Sequence, residues 1–156
     1  MGVRLSEDEA WAELESAHTG ILTTLRRDGR PVSVPVWFAA LDRRIYVRTP
    51  AKTRKVGHVR HDPRATFLVE RGEQWIELCA VMVHADVELL EPGDEYDAAC
   101  AAIDTKYAGF GMGSAALGGK KVPDATKEHY AGRSAMLRLT PIDRLVTWDN
   151  SRLRLT

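Results

Sequence analysis

The chain has 156 residues, a length that suits one domain able to bury its own core. Its composition is 44% hydrophobic and 28% charged, which excludes a disordered chain, and nowhere do about 18 apolar residues run together as a membrane-spanning helix requires. Lys plus Arg equals Asp plus Glu at 22 each, so no net field draws the chain to nucleic acid or to a membrane surface.

Residues 1–8 hold no apolar run that would act as a secretion signal. The two cysteines, Cys79 and Cys100, fit no metal or redox spacing. Both features predict reduced thiols in a cytoplasmic protein.

Ser6 followed by Glu9 reads as a capping box that opens a short helix with Trp11 and Leu14 inward, stopped near Gly20. Ile21 to Leu25 reads as a strand, Asp28-Gly29 as a hairpin turn, and Val32 to Phe38 as the returning strand. Pro35 cannot donate a ladder hydrogen bond, which makes that strand an edge or bulged one. A turn at Leu41 to Arg43 leads to a strand over residues 45–48, and a short helix carrying Val56 and Val59 ends at His61-Asp62-Pro63. A fourth strand covers residues 65–70.

Trp75 to Leu90 reads as one long extended stretch, with Val81, Val83, Ala85, Val87 and Leu89 on one face. After Pro92-Gly93 the period becomes helical, with Tyr96, Cys100, Ile103 and Tyr107 aligned. Gly109 to Gly119 reads as a loop able to act as a lid, residues 124–130 as a weak helix, and residues 135–140 and 144–148 as two closing strands. The whole of 1–156 is predicted to be a single α+β domain, mainly antiparallel β with short flanking helices, closed into a small barrel that removes exposed edges.

The segment with the clearest chemistry is Arg48-Thr49 followed by Lys52-Thr53-Arg54-Lys55. A loop there leaves a strand and enters a helix, so free backbone N–H groups and the positive helix end converge. Hydroxyls and cations add charge-assisted hydrogen bonds, and a phosphate monoester suits them. The same spacing also fits a solvated basic turn.

At this point the sequence resembles the pyridoxamine-phosphate-oxidase-like split barrels, which include FMN enzymes and relatives that use the deazaflavin coenzyme F420. Arg48-Thr49 with Thr53-Arg54-Lys55 is similar to that family's Tyr-Thr and Ser-Arg-Lys phosphate motif, with Thr for Ser. Asp28-Gly29-Arg30-Pro31, Pro35-Val36-Trp37-Phe38 and His61-Asp62-Pro63-Arg64 extend the likeness. The resemblance implies a split barrel and a hydride-transferring oxidoreductase using F420 or FMN, with F420 favoured because Lys52, Arg54, Arg60 and His58 offer more positive charge than one phosphate needs. It implies that Thr49, Arg54 and Lys55 hold the phosphate, that Val34, Pro35, Val36 and Trp37 run along the ring, and that Trp148 reaches a neighbouring subunit's cofactor.

It also implies a homodimer acting on a small planar unsaturated substrate, with the apolar face of Val81 to Leu89 available for sharing. Phe38 stands where the oxidase proper has a substrate-phosphate lysine, only Arg152-Leu153 remains of a late Arg-Leu-His-Asp-Arg segment, and Ala80 replaces a frequent Gln. True vitamin B6 oxidation is therefore not expected. No catalytic acid or base is assigned, although Tyr46 and His84 carry suitable groups. A non-catalytic flavin-, F420- or haem-binding protein, or a ligand-free structural dimer, would fit the same pattern. His58 and His61 read as a surface pair, since no third metal ligand is in view.

Overall fold

The computed structural model describes residues 3–112 and 117–154. The capping box forms: Glu9 N–H donates to the Ser6 hydroxyl (3.3 Å) and Ser6 N–H donates to the Glu9 carboxylate (2.7 Å), opening α1 (Glu7–Ser16). Trp11 and Leu14 are buried, each contributing about 1.5–3 kcal/mol of apolar transfer.

The strands are β1 (Gly20–Leu25), β2 (Pro31–Val36), β3 (Ala39–Leu41), β4 (Arg44–Pro50), β5 (Arg64–Arg71), β6 (Cys79–Leu89), β7 (Ser134–Pro141) and β8 (Val146–Asp149). They form one antiparallel sheet of eight strands in the order β2-β1-β5-β6-β7-β4-β3. The remaining strand, β8, pairs with the first half of β6, whose second half pairs with β7. The curled sheet is the expected split barrel. Helices α2 (Arg54–His61), α3 (Asp94–Lys106) and α4 (Asp124–Ala131) complete it.

Period-two alternation sends Leu22, Val47, Phe67, Val81, Val83 and Leu139 into one core, against which α1 and α2 pack. Opposite it, α3 lays Ala99, Ile103 and Tyr107 on Ala39, Tyr46 and Met136. The carboxylate of Glu95 fastens α3 to the sheet. It accepts from the Tyr46 hydroxyl at 2.7 Å and from the Arg138 guanidinium at 2.9 Å.

Several expectations change. Gly20 does not stop a helix: α1 ends at Ser16, and Gly20 opens β1, where an added Cβ would sit 2.1 Å from the Phe67 ring. Residues 75–77 form a 3₁₀ turn rather than strand, and the last strand begins at Val146 rather than Arg144. The Leu41–Arg43 turn places Asp42 and Arg43 at positive φ (49° and 59°), as a two-residue hairpin of this handedness requires. Val81, Val83, Ala85 and Val87 are 0–4% exposed. They fill the chain's own barrel, so this face is not free to be shared with a second subunit. The outer face of the same strands instead leaves Ile21, Leu68, Met82, Trp148 and Val146 partly or fully exposed. Among the described residues no helix is long and apolar enough to cross a membrane.

Candidate phosphate-binding site

β4 ends at Pro50, and a turn closed by Thr53 N–H donating to the Pro50 carbonyl (3.1 Å) leads into α2. α2 then packs on β1, where the Thr24 hydroxyl meets His58 Nδ1 at 2.9 Å. The helix thus bridges two parts of the sheet that lie far apart in strand order.

At its start the Lys55 ammonium donates to the Thr49 hydroxyl at 3.1 Å, and the Thr53 hydroxyl lies 3.3 Å from that same oxygen. Thr49 is 6% exposed, and partial burial holds the Lys55 ammonium below the usual lysine pKa range. The first backbone bonds of α2 run from Val56 and Gly57 to the Thr53 carbonyl. Among the described residues the N–H groups of Arg54 and Lys55 therefore lack an acceptor, as a helix start leaves them.

No carboxylate of the described residues pairs with Lys52, Arg54, Lys55 or Arg60, although most other arginines on the sheet are paired. Two hydroxyls, a partly desolvated ammonium and two free amides, with no acid among them, suit a phosphate monoester.

The expected residues do not all converge. Alternation along β4 turns Arg48 to the opposite face from Thr49, where it pairs with Asp104 of α3 at 2.5 Å and its charged form is favoured by that bond. Arg48 is thus a strut between β4 and α3 rather than part of the clamp. Lys52 and Arg54 are exposed at the rim. His58 is held on Thr24 and does not join the cations.

β2 is an edge strand, which accommodates Pro35, and Val34 and Val36 face inward there. Trp37 follows β2, 39% exposed, with one ring face stacked on Tyr107 (centroids 4.4 Å apart, planes at 4°). Trp148 stands across from Ala80 on β6. Along the register from Ala80 through β7, Thr49 lies about ten residues of strand away, so no strand pairing brings Trp148 beside the clamp.

Tyr46 is buried with its hydroxyl given to Glu95, and burial first, then Glu95, pushes its pKa up; it is a structural donor. Of the 109–119 loop, residues 113–116 lie outside the described residues. Phe110 and Met112, on its described part, are exposed, and Phe110 lies against His18 beside Tyr107.

Sequence reasoning missed Tyr107. Its hydroxyl accepts from Phe38 N–H at 2.9 Å and lies 2.7 Å from the His18 carbonyl, pinning the segment that carries Trp37. Tyr107 was visible only as one apolar position on a helical face.

The pyridoxamine 5'-phosphate oxidase family profile matches residues 6–142. The chain belongs to the pyridoxamine 5'-phosphate oxidase family. Several proteins of known structure are similar along nearly its whole length. The conserved hypothetical protein Rv2991 of Mycobacterium tuberculosis shares 25% identity over 95% of this chain and 87% of its own, with a TM-score of 0.76. A FAD-binding protein of Mesorhizobium loti shares 18% over 92% of this chain and 94% of its own, with a TM-score of 0.67. HutZ, the haem storage protein of Vibrio cholerae, shares 16% over 97% of this chain and all of its own, with a TM-score of 0.65. No curated protein sequence matches the chain.

Proposed function

We propose that this family member binds a flavin-type cofactor by its phosphate and serves as an oxidoreductase for a small planar unsaturated substrate. The observation that carries the reading is the Lys55 ammonium resting on Thr49 at the start of α2, with no carboxylate partner among the described residues. Family membership and a FAD-binding protein of the same fold support it. When bound, the cofactor supplies hydride transfer at its ring; the chain's own residues bind and orient it. Thr49, Thr53 and Lys55 hold the phosphate, Arg54 and Lys52 line its exit, and the β2 segment Val34 to Trp37 offers an edge backbone and a half-exposed indole along which a ring can lie.

F420 is favoured over FMN. Both share a ribityl phosphate, but the anionic tail of F420 continues past it, and the exposed Lys52, Arg54 and Arg60 carry no acid partner among the described residues. Phe38 is fully buried against Phe67 and holds no charge for a second phosphate, which argues against pyridoxamine-phosphate oxidation.

The working unit in this reading is a homodimer that pairs the outer sheet face of Met82, Val146 and Trp148. That pairing brings Trp148 of one subunit towards the other's cofactor. A ligand-binding role without turnover is the second reading, favoured by the fold shared with the haem storage protein. Reduction of a quinone or enone by reduced F420 or FMN, above the protein-free rate, supports the enzyme; tight binding without turnover supports the second reading.

A further inference from the structure

Away from the clamp, a buried cation lacks a hydrogen-bond partner among the described residues. Lys106 ends α3, and its Nζ is buried with no hydrogen-bond acceptor among the described residues. Two aromatic rings lie beside it, with the Phe38 centroid at 3.8 Å and the Tyr107 centroid at 5.4 Å. The cation–π contact offsets part of the desolvation cost, yet all three ammonium donors stay unused. Burial draws the Lys106 pKa down to about 8, the mark of a charge held without a counter-ion.

Lys106 lines an open cleft of about 430 Å³ between β3 and α3. Its walls are alanines, Ala39 and Ala40 from β3 and Ala101 and Ala102 from α3. The cleft is open along one side, so a small ligand would lie along it rather than be enclosed. Thr105 adds one hydroxyl to the lining.

We propose that this cleft binds a small molecule with an apolar body and a single carboxylate, the body lying on the four alanines and the carboxylate on the Lys106 ammonium. An ammonium on a flexible four-carbon stem exchanges its place over the Phe38 ring for a charge-assisted hydrogen bond with little movement of the backbone. Glu15, also on the lining, sets the charge limit. With Lys106 as its one cation and Glu15 as its one carboxylate, the lining suits a singly charged anion rather than a phosphate dianion, unlike the clamp at Lys55. The inference does not depend on which cofactor the clamp takes.

Octanoate, with octanol as its uncharged counterpart, is the probe. Calorimetric titration of the full chain should show saturable octanoate binding that weakens at least tenfold in Lys106→Met and in Ala101→Leu. Lys106→Arg should restore most of it, and Lys55→Ala should leave it unchanged. Octanol should bind wild type and Lys106→Met alike. Thermal unfolding of each variant checks that the fold is kept. Equal octanoate affinity in wild type and Lys106→Met, or no saturable binding to wild type, would overturn the site; so would loss in Lys55→Ala equal to that in Lys106→Met.

Discussion

The Lys55 ammonium lies 3.1 Å from the Thr49 hydroxyl, joining the end of β4 to the first turn of α2 with no acid partner among the described residues. The geometry of this contact follows from strand alternation, which turns Thr49 towards α2 and Arg48 away from it.

Arg48 and Asp104 hold α3 against β4 and do not touch the clamp. Arg48→Gln should therefore lower stability modestly, by about 0.2–1 kcal/mol for a partly exposed pair, and leave cofactor affinity within about threefold of wild type. Urea unfolding and FMN titration on one preparation check both statements. A loss of affinity as large as that of Lys55→Ala would return Arg48 to the clamp.

Tyr107→Phe removes the hydroxyl that accepts from the buried Phe38 N–H. Leaving that donor unpaired should cost about 1–3 kcal/mol, read as a lower urea midpoint with an unchanged slope. Because Trp37 stacks on the same ring, its fluorescence should change in the native state as well.

Gly20 faces the Phe67 ring, where a Cβ would stand 2.1 Å from Cζ. Gly20→Ala should destabilise by about 1–3 kcal/mol, the scale of core overpacking. Gly29 has nothing within 4 Å of an added Cβ but sits at φ 79°, so Gly29→Ala strains the turn rather than the core. Adding Phe67→Leu should recover part of the loss in Gly20→Ala and none of the loss in Gly29→Ala.

Much of the architecture is legible from local chemistry. The Ser6/Glu9 box, the Asp28-Gly29 turn, the edge strand with Pro35 and the switch to helical period after Gly93 each depend on neighbours in sequence, and each forms. The clamp's Thr49, Thr53 and Lys55 meet for the same reason, because one short turn positions all three. What could not be read depends on partners far along the chain. Whether Gly20 stops a helix or clears space for Phe67 is decided 47 positions away. Whether Val81 to Leu89 offers a face for sharing is decided by how the sheet curls. Arg48 was assigned by its place beside Thr49, and one residue's shift along a strand reverses the face.

The Glu9 carboxyl is drawn from 4.5 to about 2, first by the Arg152 side chain and then by Ser6 N–H, and Arg64 draws Asp62 to about 2 as well. A carboxyl lowered in the folded state adds stability that is present above its unfolded value and fades as pH falls through the folded one. Stability should thus decline between about pH 4.5 and 2. Glu9 is exposed and Asp62 is paired with an exposed Arg64, so solvent screens both and the effect is small. Glu9→Gln should flatten this decline when thermal midpoints at pH 7 and pH 2.5 are compared, and an unchanged slope would show that the Arg152 bond contributes nothing.

The exposed outer face of Met82 and Val146 predicts a homodimer of twice the 17.4 kDa chain. Light scattering should show that mass for wild type and half of it for Met82→Glu with Val146→Glu. A wild-type monomer that binds cofactor tightly would remove the second subunit from the account.

Calorimetric titration of FMN and F420 into wild type, Lys55→Ala and Lys121→Ala tests the central claim most directly. Lys55→Ala should weaken the preferred cofactor by about 1.5–3 kcal/mol, the worth of one hydrogen bond to a charged group, while Lys121→Ala changes it little. F420 should bind more tightly than FMN and lose that advantage when Lys52 and Arg60 are neutralised. Equal effects of the two lysine substitutions, or no binding of either cofactor to wild type, would contradict a phosphate clamp at Thr49, Thr53 and Lys55.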